Sequence, residues 1–266
     1  MNKQVAALIL NRNLGSVCDN LKESLLNHRL DEIYVVDCST NSDLRSKNAT
    51  LIVEDDVTKL HGLRISRGFN LGIQHVLAQS QCEWIFCLPV DTEIVRLELG
   101  NMLKALKNFS KVVAVCPLEV DHPYTGMMTE SDLAIAWNIP EGPILLRRDF
   151  LLNFLIDDSI QLFDSNNFRG YLSFVELAIK VYGNDFALAV STDLVIRERE
   201  DYLLSLSELI QTEPYTENRN LWITEGMIWL LQKYGFRDRW SLENIARILH
   251  KDFLERNPNY KSSGIY

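Results

Sequence analysis

"CEWIFCLPVDTEI", residues 82 to 94, decides how this chain is to be read. Trp84 to Leu88 is an unbroken apolar run of strand length. Pro89 stops it, and two acids follow at alternating positions, Asp91 and Glu93. A strand without polar alternation is covered on both faces, the situation of a parallel sheet packed between helices. Ending such a strand in two closely spaced carboxylates brings charge to the rim of a hydrophobic core, and that placement needs a reason.

The pattern repeats on either side. "VAALIL" (5–10), "IYVVD" (33–37), "TLIVE" (50–54) and "VVAVC" (112–116) read as further buried strands. Between them, three apolar sets recur at helical spacing: Val17, Leu21 and Leu25; Phe69, Ile73, Val76 and Leu77; Leu99, Met102, Leu103 and Leu106. Ser16 and Ser66 are candidate caps. Strands alternating with amphipathic helices predict an α/β fold with a mainly parallel, Rossmann-like sheet flanked by helices. Ligands of such sheets bind beyond the carboxyl ends of the strands. Asn11, Asp37 and Asp91 all stand in that position.

Past residue 140, "GPILLRRDFL" (142–151) reads as a strand entering a helix, and "FALAVST" (186–192) as another strand. Between them a helix over 172–182 carries Phe174, Leu177, Ala178 and Val181 on one face. From residue 200 the chain reads as helical, with Ser241 a candidate cap for a face of Leu242, Ile245, Leu249 and Phe253. The expected division is a main domain over 1–199 and a C-terminal helical extension over 200–266. Trp222, Trp229 and Trp240 lie in the extension, whose apolar faces call for burial on the main domain or in a contact between two copies.

The 266 residues are 47% hydrophobic and 24% charged, an ordinary globular balance, with a formal net charge of -9. An acidic surface repels a phosphate backbone, so nucleic acid is not an expected partner, while a local basic cluster can still hold a small anion. The five cysteines are odd in number and form no C-x-x-C pair, which points to a reducing compartment without disulfides or a zinc cluster. The apolar run 5–10 is too short for a secretory signal and no later run approaches a membrane span. The expectation is a cytoplasmic protein, with peripheral membrane contact left open.

Side chains at i and i+2 of an extended segment point the same way, so Asp91 and Glu93 together suit a hard divalent cation such as Mg²⁺ or Mn²⁺. At this point the chain resembles a family. "AALILNRN", "VVDCSTNSD", "SRGFNLGI", the acid pair after a strand, and then "GPILLRRDFLLN", "LFDSNNF" and "VELAIKVYG" follow, in order, the pattern of family-2 glycosyltransferases of the GT-A fold. The resemblance covers residues 4–192. It implies a nucleotide-diphosphate sugar donor, a divalent cation, and transfer with inversion to a hydroxyl of a glycan, lipid-linked or small-molecule acceptor.

Carried over position by position, the resemblance places Asn11 and Asp37 at the nucleoside. It places Arg67, Asn70 and Gly72 in the donor-side segment, Asp91 at donor and metal, Glu93 at the metal, and Glu176 as the catalytic base. Two departures stand out. The second metal acid is Glu93 where the family has aspartate, and the acids expected just before "VELAIK" are replaced by Ser173 and Phe174. Glu176 is then the nearest acid, with Asp164 and Glu141 as further candidates. His122 is a candidate for the acceptor side, His250 for a third metal ligand, and Arg147 and Arg148 for phosphate or acceptor contact. Two alternatives stay open: a sugar-phosphate nucleotidyltransferase, and a degenerate, non-catalytic glycosyltransferase-like binding or scaffold subunit.

Overall fold

The computed structural model describes residues 4–30, 32–55, 64–120, 133–199, 204–206, 209 and 213–265; His122 lies outside them. The apolar runs become the centre of one mixed sheet. β1 (Val5–Asn11) lies between β2 (Ile33–Asp37) and β4 (Trp84–Pro89), parallel to both, and β3 (Leu51–Ile52) continues the parallel half beyond β2. The register sets Asn11 beside Asp37, and Leu10 beside Pro89. The carboxyl ends of β1, β2 and β4 therefore finish at one edge.

β8 (Ile144–Arg147) runs antiparallel between β4 and β6 (Val112–Glu119). β11 (Ala187–Glu198) then pairs parallel with β6 and antiparallel with β7 (Leu133–Ala136). The sheet is thus α/β and mainly parallel, with helices on both sides, as the alternating pattern predicts. α1 (Gly15–Asn27) and α2 (Ile65–Gln79) pack on the parallel half, and α3 (Leu99–Leu106) precedes β6. Leu8, Ile9, Ile85, Phe86, Val113 and Val115 are 0% exposed, so strand and helix faces share one core.

Three local expectations change. "TLIVE" contributes only Leu51 and Ile52 to the sheet. β5 (Thr92–Leu97) is a strand that the periodicity does not announce; it pairs antiparallel with the far half of β11. None of the expected serine caps is used. α1 and α2 begin without a side-chain cap, and the last long helix, α7 (Arg239–Arg256), is capped by Asp238, whose carboxylate accepts the Ser241 N–H at 2.9 Å. Asp238 stands three residues before Ser241, the spacing at which a cap side chain reaches a free N–H of the first turn.

The C-terminal helices α6 (Tyr215–Tyr234) and α7 pack on α5 (Ser173–Gly183) and bring Trp229, Leu230, Leu242, Phe253 and Leu254 into the core. Trp240 is a correction: it is 60% exposed, lying under the Arg239 guanidinium at the start of α7, where no other element covers it. Gly226 of α6 sits so close to Tyr171 that a Cβ there would lie 2.2 Å from its ring. Among the described residues no helix is long and apolar enough to cross a membrane.

His250 of α7 is a core residue, and among the described residues it belongs to no cluster of metal-ligating side chains. It is 4% exposed and meets the Tyr182 ring edge-on at 5.2 Å. Burial pushes its imidazole down to about 4. The folded chain therefore holds it neutral while the unfolded chain protonates near pH 6.5. The unfolded state binds more protons between these values, so this contribution is complete above pH 6.5 and is lost as pH falls toward 4. Relative to a His250→Phe variant, the wild type is expected to lose up to about 3 kcal/mol more stability between pH 7 and pH 4. Urea denaturation of the two proteins at both pH values checks this; parallel losses would contradict it.

Candidate functional site

The three strand ends open onto one cavity of about 310 Å³. Asn11 and Arg12 reach it from β1, Cys38 from β2, Val90 and Asp91 from the end of β4, and Arg64 from the start of α2. Glu141 and Gly142 close it from the β7–β8 loop, Glu198 from β11, Arg169 from the approach to α5, and Asn218 from α6. α6, through Asn218, thus contributes to the wall of the same cavity as the N-terminal strands.

Asp37 lies directly beneath this wall. It is 0% exposed and its carboxylate is saturated: Oδ1 accepts from Ser39 N at 2.8 Å, and Oδ2 from Ser46 N at 2.9 Å and Asn11 Nδ2 at 2.6 Å. The grip holds Asn11 in place, leaving Asn11 Oδ1 buried without a hydrogen-bond partner among the described residues. Asp37 itself does not line the cavity. Asp37→Ala strands three donors, which is expected to cost about 2–3 kcal/mol of stability in denaturant titration. A change below about 0.5 kcal/mol would show that water replaces the carboxylate.

Asp91 lies in the turn between β4 and β5, not within a strand, so the strict alternation with Glu93 fails. Thr92 begins β5, and Glu93 falls opposite Arg197 of β11, whose Nη1 is 3.2 Å from Glu93 Oε1. The two acids share a shallow hollow of about 180 Å³ against α1, but only Asp91 reaches the main cavity. Among the described residues no ion pair engages Asp91, and burial raises its carboxyl above the usual range, with only its own backbone N–H lowering it. No set of three or more His, Cys, Asp or Glu side chains among the described residues is arranged to hold a metal. A lone carboxylate without a partner cation still suits Mg²⁺ or Mn²⁺, which keep several waters and take further oxygens from phosphates.

The other expected donor-side residues lie elsewhere. Arg67 pairs with Asp55 at 2.9 Å. Asn70 is buried, its amide holding the Phe163 backbone at 2.7 and 3.0 Å. Arg67 and Asn70 line a separate polar hollow beside Asp164, Lys180 and Lys233. Gly72 lets α2 approach β1: a Cβ there would lie 2.6 Å from the Leu8 methyls. Arg147 and Arg148 are structural. Arg147 donates to Val112 O at 3.1 Å and Arg148 to Ser80 O at 2.7 Å, at the end of the sheet where β4 begins.

Glu176 faces away from the Phe174 stripe, as a helical period predicts, yet it is 2% exposed. Its Oε1 accepts from Lys233 Nζ at 2.6 Å and Tyr234 Oη at 2.8 Å, both from α6. It does not line the cavity. The extension covers the face that helical periodicity alone leaves to solvent. Lys233 also binds Asp164, which accepts from Trp229 Nε1 at 3.0 Å, so this second candidate acid belongs to the same α6 contact.

Three arginines of the cavity are missing from the sequence reading. Arg64 and Arg169 grip the two oxygens of Glu213, Arg64 at 2.8 Å, and both reach Asn218 Oδ1, at 3.1 and 2.6 Å. Arg12 is 8% exposed beside them. Their one sequence signal is adjacency: Arg12 follows Asn11, and Arg64 opens the "SRGFNLGI" helix. Arg169 carries none, because tertiary contact alone brings it here.

No protein-family model matches the sequence, and no curated protein matches it. Solved structures do. The chain is similar to a mannosyltransferase from Pyrobaculum calidifontis in complex with GDP-Man and Mn²⁺, with a TM-score of 0.57, 13% identity, and coverage of 99% of this chain and 74% of that one. It is similar also to GalNAc-T7 with UDP, GalNAc and Mn²⁺, with a TM-score of 0.58, 11% identity and 96% of this chain covered. The match spans 56% of the length of GalNAc-T7. The order of strands, the cavity beyond their carboxyl ends and these two likenesses together show that the chain has the GT-A fold.

Proposed function

We propose that the chain is a glycosyltransferase that moves a sugar from a nucleoside-diphosphate donor to a hydroxyl acceptor with inversion, in the synthesis of a glycan or glycoconjugate. The observation that carries the reading is the composition of the cavity. A chain of net charge -9 gathers Arg12, and Arg64 and Arg169 with their shared partner Glu213, at the carboxyl edge of its sheet, opposite Asp91, which no ion pair among the described residues engages. Guanidinium groups attract a diphosphate, and Asn11 Oδ1, without a partner among those residues, is an acceptor for a nucleoside N–H or hydroxyl. The solved relatives named above hold nucleotides and Mn²⁺.

Asp91 is the residue that would hold a divalent cation, with the donor phosphates and water completing its shell. Glu93 would join only by leaving Arg197. The cation would supply charge stabilisation to the departing diphosphate. The chain's own part is to seat the nucleoside on Asn11, which Asp37 orients, to balance the phosphates with the arginines, and to exclude water from the sugar. Arg67, Asn70 and Gly72 support this indirectly, by fixing α2 and hence Arg64.

The test is a thermal-shift series with UDP- and GDP-linked hexoses and their free diphosphates, with and without Mn²⁺. Ligand at a hundred times its dissociation constant is expected to add about 2.7 kcal/mol of stability. A chain unmoved by every nucleotide would sink the reading. Binding without sugar release would favour the non-catalytic alternative, to which the ion-paired burial of Glu176 lends support.

A further inference from the structure

Glu141 lies in the loop between β7 and β8, far in sequence from α5, yet its carboxyl lies beside the backbone N–H of Ser173 at the start of α5, which itself donates to Gly170 O at 3.0 Å. The chain enters α5 through two left-handed residues, Gly170 at φ 75° and Leu172 at φ 55°. A bulky side chain is rarely found in that conformation. The entry brings the start of the helix beside Glu141. On the other side, Gly142 at φ 151° leaves room for the Glu198 carboxylate, which would lie 2.7 Å from a Cβ at that position. Glu141 thus stands between the start of α5 and the cavity that contains Asp91, whose wall it lines.

We propose that Glu141 is the general base of the transfer, taking in space the place that Ser173 and Phe174 leave without an acid in sequence. The inference rests on the glycosyltransferase reading and deepens it. The acceptor oxygen forms its bond to the anomeric carbon as the bond from that carbon to the diphosphate oxygen breaks. The bonding pair leaves with the nucleoside diphosphate, and the acceptor proton passes to the Glu141 carboxylate and then to water. Glu176, closed in by Lys233 and Tyr234, has no route to such a proton.

The surroundings suit the role. Glu141 is an exposed residue at the wall of the cavity, and the protein crowded around its carboxyl disfavours the charge there. That desolvation pushes its carboxyl up to about 7, against the lowering effects of Arg239 and the Ser173 N–H. Besides Arg239, the charged and titratable groups around it are Glu243 on α7, Tyr171 before α5, Glu198 on β11, and Arg169 and Asp91 across the cavity. A base works best with its pKa near the working pH.

The experiment uses the full chain and measures release of hexose from UDP- and GDP-linked hexoses, with water as acceptor, for wild type, Glu141→Gln and Glu141→Ala. Glu141→Gln is expected to lower kcat at least about a hundredfold while nucleoside-diphosphate affinity stays within about twofold. Wild-type kcat should rise with pH to a plateau above about 7, and the glutamine variant should lose that rise. Formate should restore part of the activity of Glu141→Ala. Turnover of Glu141→Gln within fivefold of wild type, a retained pH limb, or a matching loss of donor affinity overturns the assignment. A wild type that neither binds nor hydrolyses any donor overturns the glycosyltransferase reading itself, a result distinguishable from the first.

Discussion

Asp91→Asn is expected to abolish the Mn²⁺-dependent part of nucleoside-diphosphate binding and to slow sugar transfer by about 10²–10³-fold, the range for loss of one charge-stabilising group. The substitution keeps the shape of the side chain and removes its charge. No ion pair among the described residues engages Asp91, so the fold loses no such contact. The raised carboxyl shows that the folded chain disfavours the charge where it stands, since burial outweighs the one hydrogen bond to its backbone N–H. Stability of the variant at neutral pH should therefore equal or exceed that of the wild type. A group that costs stability and confers binding is the signature of a functional residue. Calorimetric titration of UDP and GDP with and without Mn²⁺ decides the matter: if Mn²⁺ strengthens binding to the variant as much as to the wild type, Asp91 is not the metal ligand.

The second large effect concerns the extension. Phe253→Ala is expected to cost about 3–5 kcal/mol, the range for removing a fully buried aromatic ring. Phe253 is 0% exposed and packs between Tyr182 of α5, at 5.5 Å, and Tyr260, at 5.2 Å. Tyr260 in turn accepts the Lys111 N–H at 2.9 Å, ahead of β6. The ring therefore couples α7, α5 and the approach to a central strand, and a cavity there cannot collapse without moving all three. Urea denaturation measures the loss; a cost below about 1 kcal/mol would mean that the extension folds apart from the main sheet. Truncation at residue 199 removes this packing together with Trp229, and an aggregating product is expected.

Much of the parallel half was legible because its strands are continuous apolar runs, and burial on both faces leaves no other reading for "VAALIL" or "WIFCL". β5 was not legible. "TEIVRL" is half exposed and pairs with the far end of β11, a partner about a hundred residues away. The same pairing explains Glu93, whose face is set by the turn at Asp91 and by Arg197, neither of which a two-residue spacing can express. The caps misled for a local reason: serine is a good cap by type, but Asp238 stands at the position from which a side chain meets the free N–H of Ser241.

The sequence by itself determined the parallel half of the sheet, the edge at which its strands end, and the placement of Asn11 and Asp91 there, because each follows from hydrophobic continuity and its interruption. Which other side chains share that edge was decided only by tertiary structure. Arg169 and Glu141 are brought in by loops, and Asn218 and Glu213 by a helix whose own pattern says nothing of its partner. Glu176 shows the converse. Helical periodicity places it off the buried stripe, and only the packing of α6 over that face turns a candidate base into a buried ion pair. Periodicity reports the distance of a residue from its own core stripe; it holds no information about what a segment 60 residues later will lay across the opposite face.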